Sequence, residues 1–219
     1  MSLQLFGHPF SSYTWKALIP LYENATPFTF RIIERDYPEN AAELARLSPM
    51  GKFPLLVDGE ASVFEATCII EHLAAFHPGP VALIPADPAA AVTTRMLDRV
   101  FDNYVMNAMQ VAVSDALRPP GNSDPYGMAQ ARAGLDRIYA WLDTELAGRE
   151  WAIGAEFTLA DCAAAPSLFY ADWVYPIDAR FATLKAYRAR LLARPSVARA
   201  VDEARPYRHY FPLGAPDRD

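Results

Sequence analysis

Three short clusters carry residue types suited to binding a small, anionic, peptide-like molecule. The first is Pro9-Phe10-Ser11-Ser12-Tyr13, between a short apolar run and a helical pattern. A hydroxyl at a helix N-terminus sits beside unpaired N–H groups and a partial positive charge. There it donates to an anion such as a thiolate. Serines in that place also serve simply as helix caps. The second cluster is Lys52-Phe53-Pro54. A proline opening a strand after a loop is a candidate for a cis peptide bond. Such a bend presents the Phe53 backbone for strand-like pairing with a peptide-like ligand. The third is Glu65-Ala66-Thr67 at the start of a helix. An acid there offsets the helix dipole. It also suits an ammonium group, with the Ala66 backbone N–H left for a carboxylate.

These clusters need elements to position them. Leu3-Gln4-Leu5-Phe6 reads as a strand closed by Gly7-His8-Pro9. Trp15, Leu18, Ile19 and Tyr22 then fall on one helical face, with Ser11 or Ser12 as N-cap and Pro20 as a possible bend. Phe28 to Ile32 alternates like a strand, and Asn40 to Leu47 is weakly helical. Asp58-Gly59 between two apolar runs marks a hairpin of Pro54–Val57 and Ala61–Phe64. A helix follows from Glu65 to Phe76, with Ile69, Ile70, Leu73 and Phe76 at helical spacing. The order β-α-β, short helix, β-β-α predicts a four-stranded mixed sheet with a right-handed parallel crossover. The three clusters then stand at successive strand ends, where open α/β sheets bind ligands.

The composition changes after residue 79. Pro78, Pro80, Pro85 and Pro88 punctuate a linker at 80–87, which separates domains predicted at 1–79 and 88–219. Asp87-Pro88 and Asp124-Pro125 each place an N-cap before a proline at the first helical position. The first opens a long helix to Leu117, on which Met96, Val100, Tyr104 and Ala108 recur every four residues. The second opens a helix through Leu146, with an apolar face of Leu135, Ile138, Leu142 and Leu146. Thr158-Leu159-Ala160-Asp161 is a capping-box variant that opens an apolar, central helix. Shorter helices are predicted near 181–192 and 196–203.

Composition removes several classes of function. The chain has 219 residues, 52% hydrophobic and 21% charged, as in ordinary globular proteins. Its net charge of −6 argues against nucleic-acid binding. No apolar run approaches the ~18–20 residues of a membrane span. Met1-Ser2-Leu3-Gln4 lacks the basic and apolar regions of a signal peptide. Cys68 and Cys162 form no metal-ligand spacing, suit a reducing compartment and read as small buried residues. A cytoplasmic location is expected. There is no Gly-x-Ser-x-Gly, Gly-x-Gly-x-x-Gly or P-loop sequence. His72 and His77, five apart on one predicted helix, are expected on different faces, so no metal is expected.

Taken together, the chain resembles the soluble glutathione S-transferase family along its whole length. Ser11-Ser12-Tyr13-Thr14-Trp15-Lys16 is similar to the serine motif of the zeta class. Gly51-Lys52-Phe53-Pro54-Leu55-Leu56 resembles the family's cis-proline loop, Phe64-Glu65-Ala66 its Glu-Ser pair, and Thr158 to Asp161 its buried capping motif. The resemblance implies an α/β thioredoxin-like N-terminal domain and an all-α C-terminal helical domain. It implies glutathione as cosubstrate, without a metal. Ser11, or else Ser12 or Tyr13, would stabilise the thiolate. Lys52 would hold the glycine carboxylate, the Phe53 backbone before Pro54 the cysteinyl unit, and Glu65 with the Ala66 N–H the γ-glutamyl end. One departure is Ala66, where the family has Ser or Thr; a charge-assisted side-chain bond worth about 1.5–3 kcal/mol is lost. A second, electrophilic substrate is expected between the domains near Tyr104 and Trp173. Met106, Met109, Phe169, Tyr170 and Tyr175 lie on the same predicted helices. The aromatic tail from Arg205 to Phe211 either covers that site or packs on the last helices. The family implies a homodimer acting in detoxification. The rival reading is a non-catalytic binding protein on the same fold. A thiol-disulfide oxidoreductase needs a cysteine where Ser11 and Ser12 stand.

Overall fold

A computed structural model describes residues 3–219. The signal-peptide reading rests partly on Met1 and Ser2, which lie outside the described residues. Strand β1 (Leu3–Gly7) runs parallel to β2 (Phe28–Ile32), joined through α1 (Ser12–Glu23). After α2 (Pro38–Leu47), β3 (Leu55–Asp58) pairs antiparallel with β1 and with β4 (Ala61–Phe64). The sheet has four strands in the order β2-β1-β3-β4, the mixed topology predicted. Asp58 pairs with Ala61, so the turn residues are Gly59 and Glu60 rather than Asp58 and Gly59. Gly59 takes φ 61°, where glycine carries no Cβ penalty. Helix α3 (Ala66–Phe76) follows directly.

Helix α1 is buried from Thr14 to Leu21 and continues through Pro20. It does not present one apolar face to one partner. Ala17, Leu18 and Leu21 pack with the sheet, whereas Trp15 and Ile19 belong to the core of the helical domain. Helix α7 (Leu159–Val174) packs against this second face and is buried from Leu159 to Trp173.

The helical domain begins with α4 (Pro88–Val100), passes through a π-helical stretch over Phe101–Met106, and continues as α5 (Asn107–Ala116). The wider π turn changes which residues face inward. Leu97, Phe101, Val105, Met106 and Met109 are buried, while Met96 and Tyr104 are exposed. Of the residues recurring every four, Val100 is buried and Ala108 packs against the core, whereas Met96, ahead of the π turn, and Tyr104, within it, are exposed. Helices α6 (Pro125–Glu145), α8 (Ala182–Ala193) and α9 (Pro195–Ala204) complete the domain, and Arg205–Tyr210 forms a 3₁₀ turn. Asp87 and Asp124 cap α4 and α6, accepting from the Ala90 and Gly127 N–H groups at 2.8 Å. Among the described residues, no helix is long and apolar enough to cross a membrane.

At the start of α7 the Asp161 carboxylate is fully buried. It accepts from the Thr158 N–H at 2.8 Å, the Thr158 hydroxyl at 3.1 Å, the Ala152 N–H at 2.8 Å and the Tyr187 hydroxyl at 2.7 Å. The Asp161 half of the expected capping box thus also ties the 151–154 turn and α8 to α7.

Candidate functional site

A cleft of about 640 Å³ opens between the sheet domain and α4–α5. From the sheet domain, Tyr13, Lys52, Phe53, Pro54, Glu65 and Ala66 line it. Three sequence clusters far apart in the chain thus meet at one place. The reason is topological, because the end of β1, the start of β3 and the end of β4 lie at the same end of the sheet. The Phe53-Pro54 bond is cis.

Each side chain is placed by a local cause. Ser11 is extended and its hydroxyl oxygen accepts from the Thr14 N–H at 3.3 Å, so it caps α1. Ser12 is the first helical residue. Neither serine lines the cleft, whereas Tyr13 does. Burial, followed by the nearby Asp102 carboxylate, pushes the Tyr13 phenol up to about 12. It remains a neutral donor at physiological pH. The Trp15 indole N–H donates to the Pro9 carbonyl at 2.5 Å and fixes the loop leading into the helix.

Glu65 occupies φ 69°, ψ 115°, an unfavourable conformation for a residue with a Cβ. Backbone outliers of this kind concentrate at ligand sites, where the surrounding fold maintains them. Ala66 begins α3, and its N–H is one of the four that a helix leaves unpartnered. Lys52 is exposed at the cleft mouth.

The opposite wall was not anticipated. Arg99, Asp102, Asn103, Asn107 and Gln110 face the cleft from α4, the π turn and α5. The available signal was a polar repeat at 99, 103 and 107, which looks like a solvated face in sequence. Beneath it lies a charge network that is buried at Lys16, Asp98 and Asp102. Lys16 Nζ is 2.5 Å from Asp98 Oδ1, 2.7 Å from Asp102 Oδ2 and 2.9 Å from the Thr67 hydroxyl. Arg99 pairs with both aspartates at 2.6 Å. Two cations thus balance two carboxylates across the domain boundary. Burial outweighs these partners at Asp102 and raises its pKa.

Neither residue expected at the second-substrate site, Tyr104 or Trp173, lines this cleft. Tyr104 lies exposed in an outer groove between α5 and α6 that adjoins the cleft through Asn103, Asn107 and Gln110. Trp173 packs in the core against Phe10, Phe169 and Phe211. Met106, Met109, Phe169 and Tyr170 are core residues too. The tail does not line the cleft. His8 meets Tyr207 edge-on at 4.8 Å, and Phe211 stacks on Tyr170 at 6.3 Å. Cys162 is buried as expected, but Cys68 is exposed.

The histidine expectation is also overturned. His77 is the C-cap residue of α3, beyond the last regular turn, so the helical period does not govern it. His72 and His77 converge on Asp58 Oδ2 at 2.9 and 2.7 Å.

Comparison with known proteins agrees with this architecture. The family model described as "Glutathione S-transferase, N-terminal domain" matches residues 5–81, and the corresponding "C-terminal domain" model matches residues 125–190. The chain belongs to the glutathione S-transferase family. A probable maleylacetoacetate isomerase of Vibrio cholerae serotype O1 is 26% identical over 224 residues, covering 94% of this chain and 98% of that protein. FtsZ-localized protein A of Caulobacter vibrioides is 27% identical over 201 residues, covering 87% of each chain. Among solved structures, a glutathione S-transferase from Methylobacillus flagellatus KT with glutathione bound aligns with TM-score 0.81 and 25% identity. The alignment spans 91% of this chain and 98% of that one.

Proposed function

We propose that this chain is an enzyme that binds glutathione in the cleft and delivers its thiolate to a small, largely apolar electrophile. The observation that carries this reading is the convergence of Tyr13, Lys52, Phe53, Glu65 and Ala66 on one cavity. Lys52 neutralises the glycine carboxylate. The Phe53 backbone, ahead of Pro54, pairs with the cysteinyl unit. The Ala66 N–H and the α3 dipole receive the γ-glutamyl carboxylate, while Glu65 binds its ammonium group.

A free thiol has a pKa near ~8.5 and is mostly protonated at neutral pH. A hydrogen bond to the sulfur favours the thiolate. Tyr13 is the donor best placed to make it, because its hydroxyl is neutral and its side chain lines the cleft. Ser11 and Ser12 contribute the helix start that positions Tyr13. The second substrate enters against Asn103, Asn107 and Gln110 instead of Tyr104 or Trp173. The proposal includes a homodimeric, cytoplasmic protein that serves in detoxification.

Isothermal titration with glutathione tests the binding step. Saturable binding that falls at least about tenfold in Glu65→Ala, with Ser11→Ala close to the unaltered protein, is the expected result. No binding at millimolar glutathione would leave the rival reading, a protein that keeps the fold as an interaction module. Two observations favour that rival: the missing hydroxyl at Ala66, and the likeness to FtsZ-localized protein A.

A further inference from the structure

The group formed by Asp58, His72 and His77 lies at the opposite end of α3 from Glu65 and Ala66. Among the described residues, it alone brings three or more His, Cys, Asp or Glu ligand atoms within 4.8 Å of one another. Both imidazoles turn Nε2 toward the same carboxylate oxygen, at 2.9 and 2.7 Å. The side chains are 13%, 32% and 23% exposed for His72, His77 and Asp58, open enough for an ion to enter.

The geometry points to a divalent transition-metal site of the zinc type: two imidazole nitrogens, one carboxylate oxygen and a water position. Imidazole selects such metals over Mg²⁺ and Ca²⁺, which prefer all-oxygen shells. Zinc–nitrogen and zinc–oxygen bonds are about 2.0–2.2 Å, so tetrahedral ligand atoms stand about 3.3–3.6 Å apart. The two nitrogen–oxygen spacings need to open by under about 1 Å to admit an ion.

Three features hold the ligands in place. Asp58 is the last residue of β3, set by its pairing with Ala61. His72 lies on α3, with its ring against Phe76 at 4.6 Å. His77 is anchored by its N–H on the Leu73 carbonyl at 2.8 Å. The donors therefore come from a strand end, a helix and a helix cap. A bound ion would clip the β3–β4 hairpin to the C-terminal end of α3. The inference does not depend on what the cleft binds.

The test uses tag-free full-length chain, stripped with chelator and titrated with Zn²⁺ and, separately, Co²⁺. One equivalent of Zn²⁺ per chain, a higher melting temperature and visible Co²⁺ absorption without a thiolate band are expected. His72→Gln and His77→Gln should each weaken binding by at least about tenfold, since changes in even outer ligand partners cost 10–100-fold. Cys68→Ser and His209→Gln should leave it unchanged. Far-UV dichroism establishes that each variant is folded, and the Co²⁺ spectrum of the unaltered chain is independent of any variant. Failure of the native chain to take up stoichiometric Zn²⁺ would overturn the proposal. So would equal uptake by a His72→Gln/His77→Gln double variant, or a thiolate band that disappears in Cys68→Ser.

Discussion

At the scale of single residues, Tyr13 and Ser11 divide the work expected of one motif. Ser11 spends its oxygen on the helix cap, and Tyr13 faces the cleft. Tyr13→Phe is expected to lower kcat/KM toward an electrophile by about 10–100-fold, the worth of a hydrogen bond to a charged group. Ser11→Ala is expected to cost about 1 kcal/mol of stability as a lost cap. Kinetics beside denaturant melts separate the two effects; a larger kinetic loss in Ser11→Ala would reverse the assignment. Glu65 offers a second test. Its positive φ costs on the order of 1–3 kcal/mol, and glycine relieves it while adding about 0.5–1 kcal/mol of unfolded-state entropy. Glu65→Gly should therefore melt no earlier than the native chain while losing glutathione binding. An earlier midpoint would mean that the Glu65 side chain stabilises the fold.

At the scale of elements, the α7 start is the most concentrated polar feature. Asp161 serves four donors from a fully buried position, so Asp161→Ala strands them all. We expect a loss of at least about 3 kcal/mol in urea unfolding. A smaller loss would mean that the cavity takes in water to replace the carboxylate. This motif was legible in sequence, as were every strand and the caps at Asp87 and Asp124. Those features depend on residues near one another in the chain. The inward face of α4–α5 was not legible. A π turn changes the helical phase without a composition signal, and it leaves Tyr104 on the outside. The polar wall of Arg99, Asn103 and Asn107 was hidden for a related reason. A polar helix face reads alike whether it meets bulk water or a cleft. The His72–His77 pair was misjudged because the five-residue spacing was treated as helical up to a residue that is already the cap.

At the scale of the whole molecule, two charge clusters join the domains. Lys16, Asp98, Asp102 and Arg99 form the inner one. Lys16→Met leaves buried carboxylates without their main partner and should destabilise the fold by about 3–5 kcal/mol. A near-neutral result in thermal unfolding would mean that the carboxylates take up protons instead. The outer cluster joins Glu23 at the end of α1 to Arg194 at 2.9 Å and Ser196 at 2.6 Å. Burial alone would raise the Glu23 carboxyl; Arg194 and Ser196 outweigh it and hold it below its ordinary value of 4.5. A depressed acid stabilises the fold above its unfolded pKa, and that contribution disappears as pH falls through the folded value. Arg194→Ala should therefore narrow the stability difference between pH 7 and pH 3. An unchanged difference would rule out this pair as a source of the acid sensitivity.

The burial of α1 on two sides also bears on how the chain is made. Trp15 and Ile19 leave the ribosome well before α7, the helix that covers them. Synthesis proceeds at roughly 5–20 residues per second, so these side chains remain uncovered for seconds. The sheet domain holds most of the cleft, but it cannot finish its own surface during that interval. A nascent chain halted after residue 79 should therefore be captured by a holdase chaperone and digested readily by protease. One halted with α7 fully emerged should be neither.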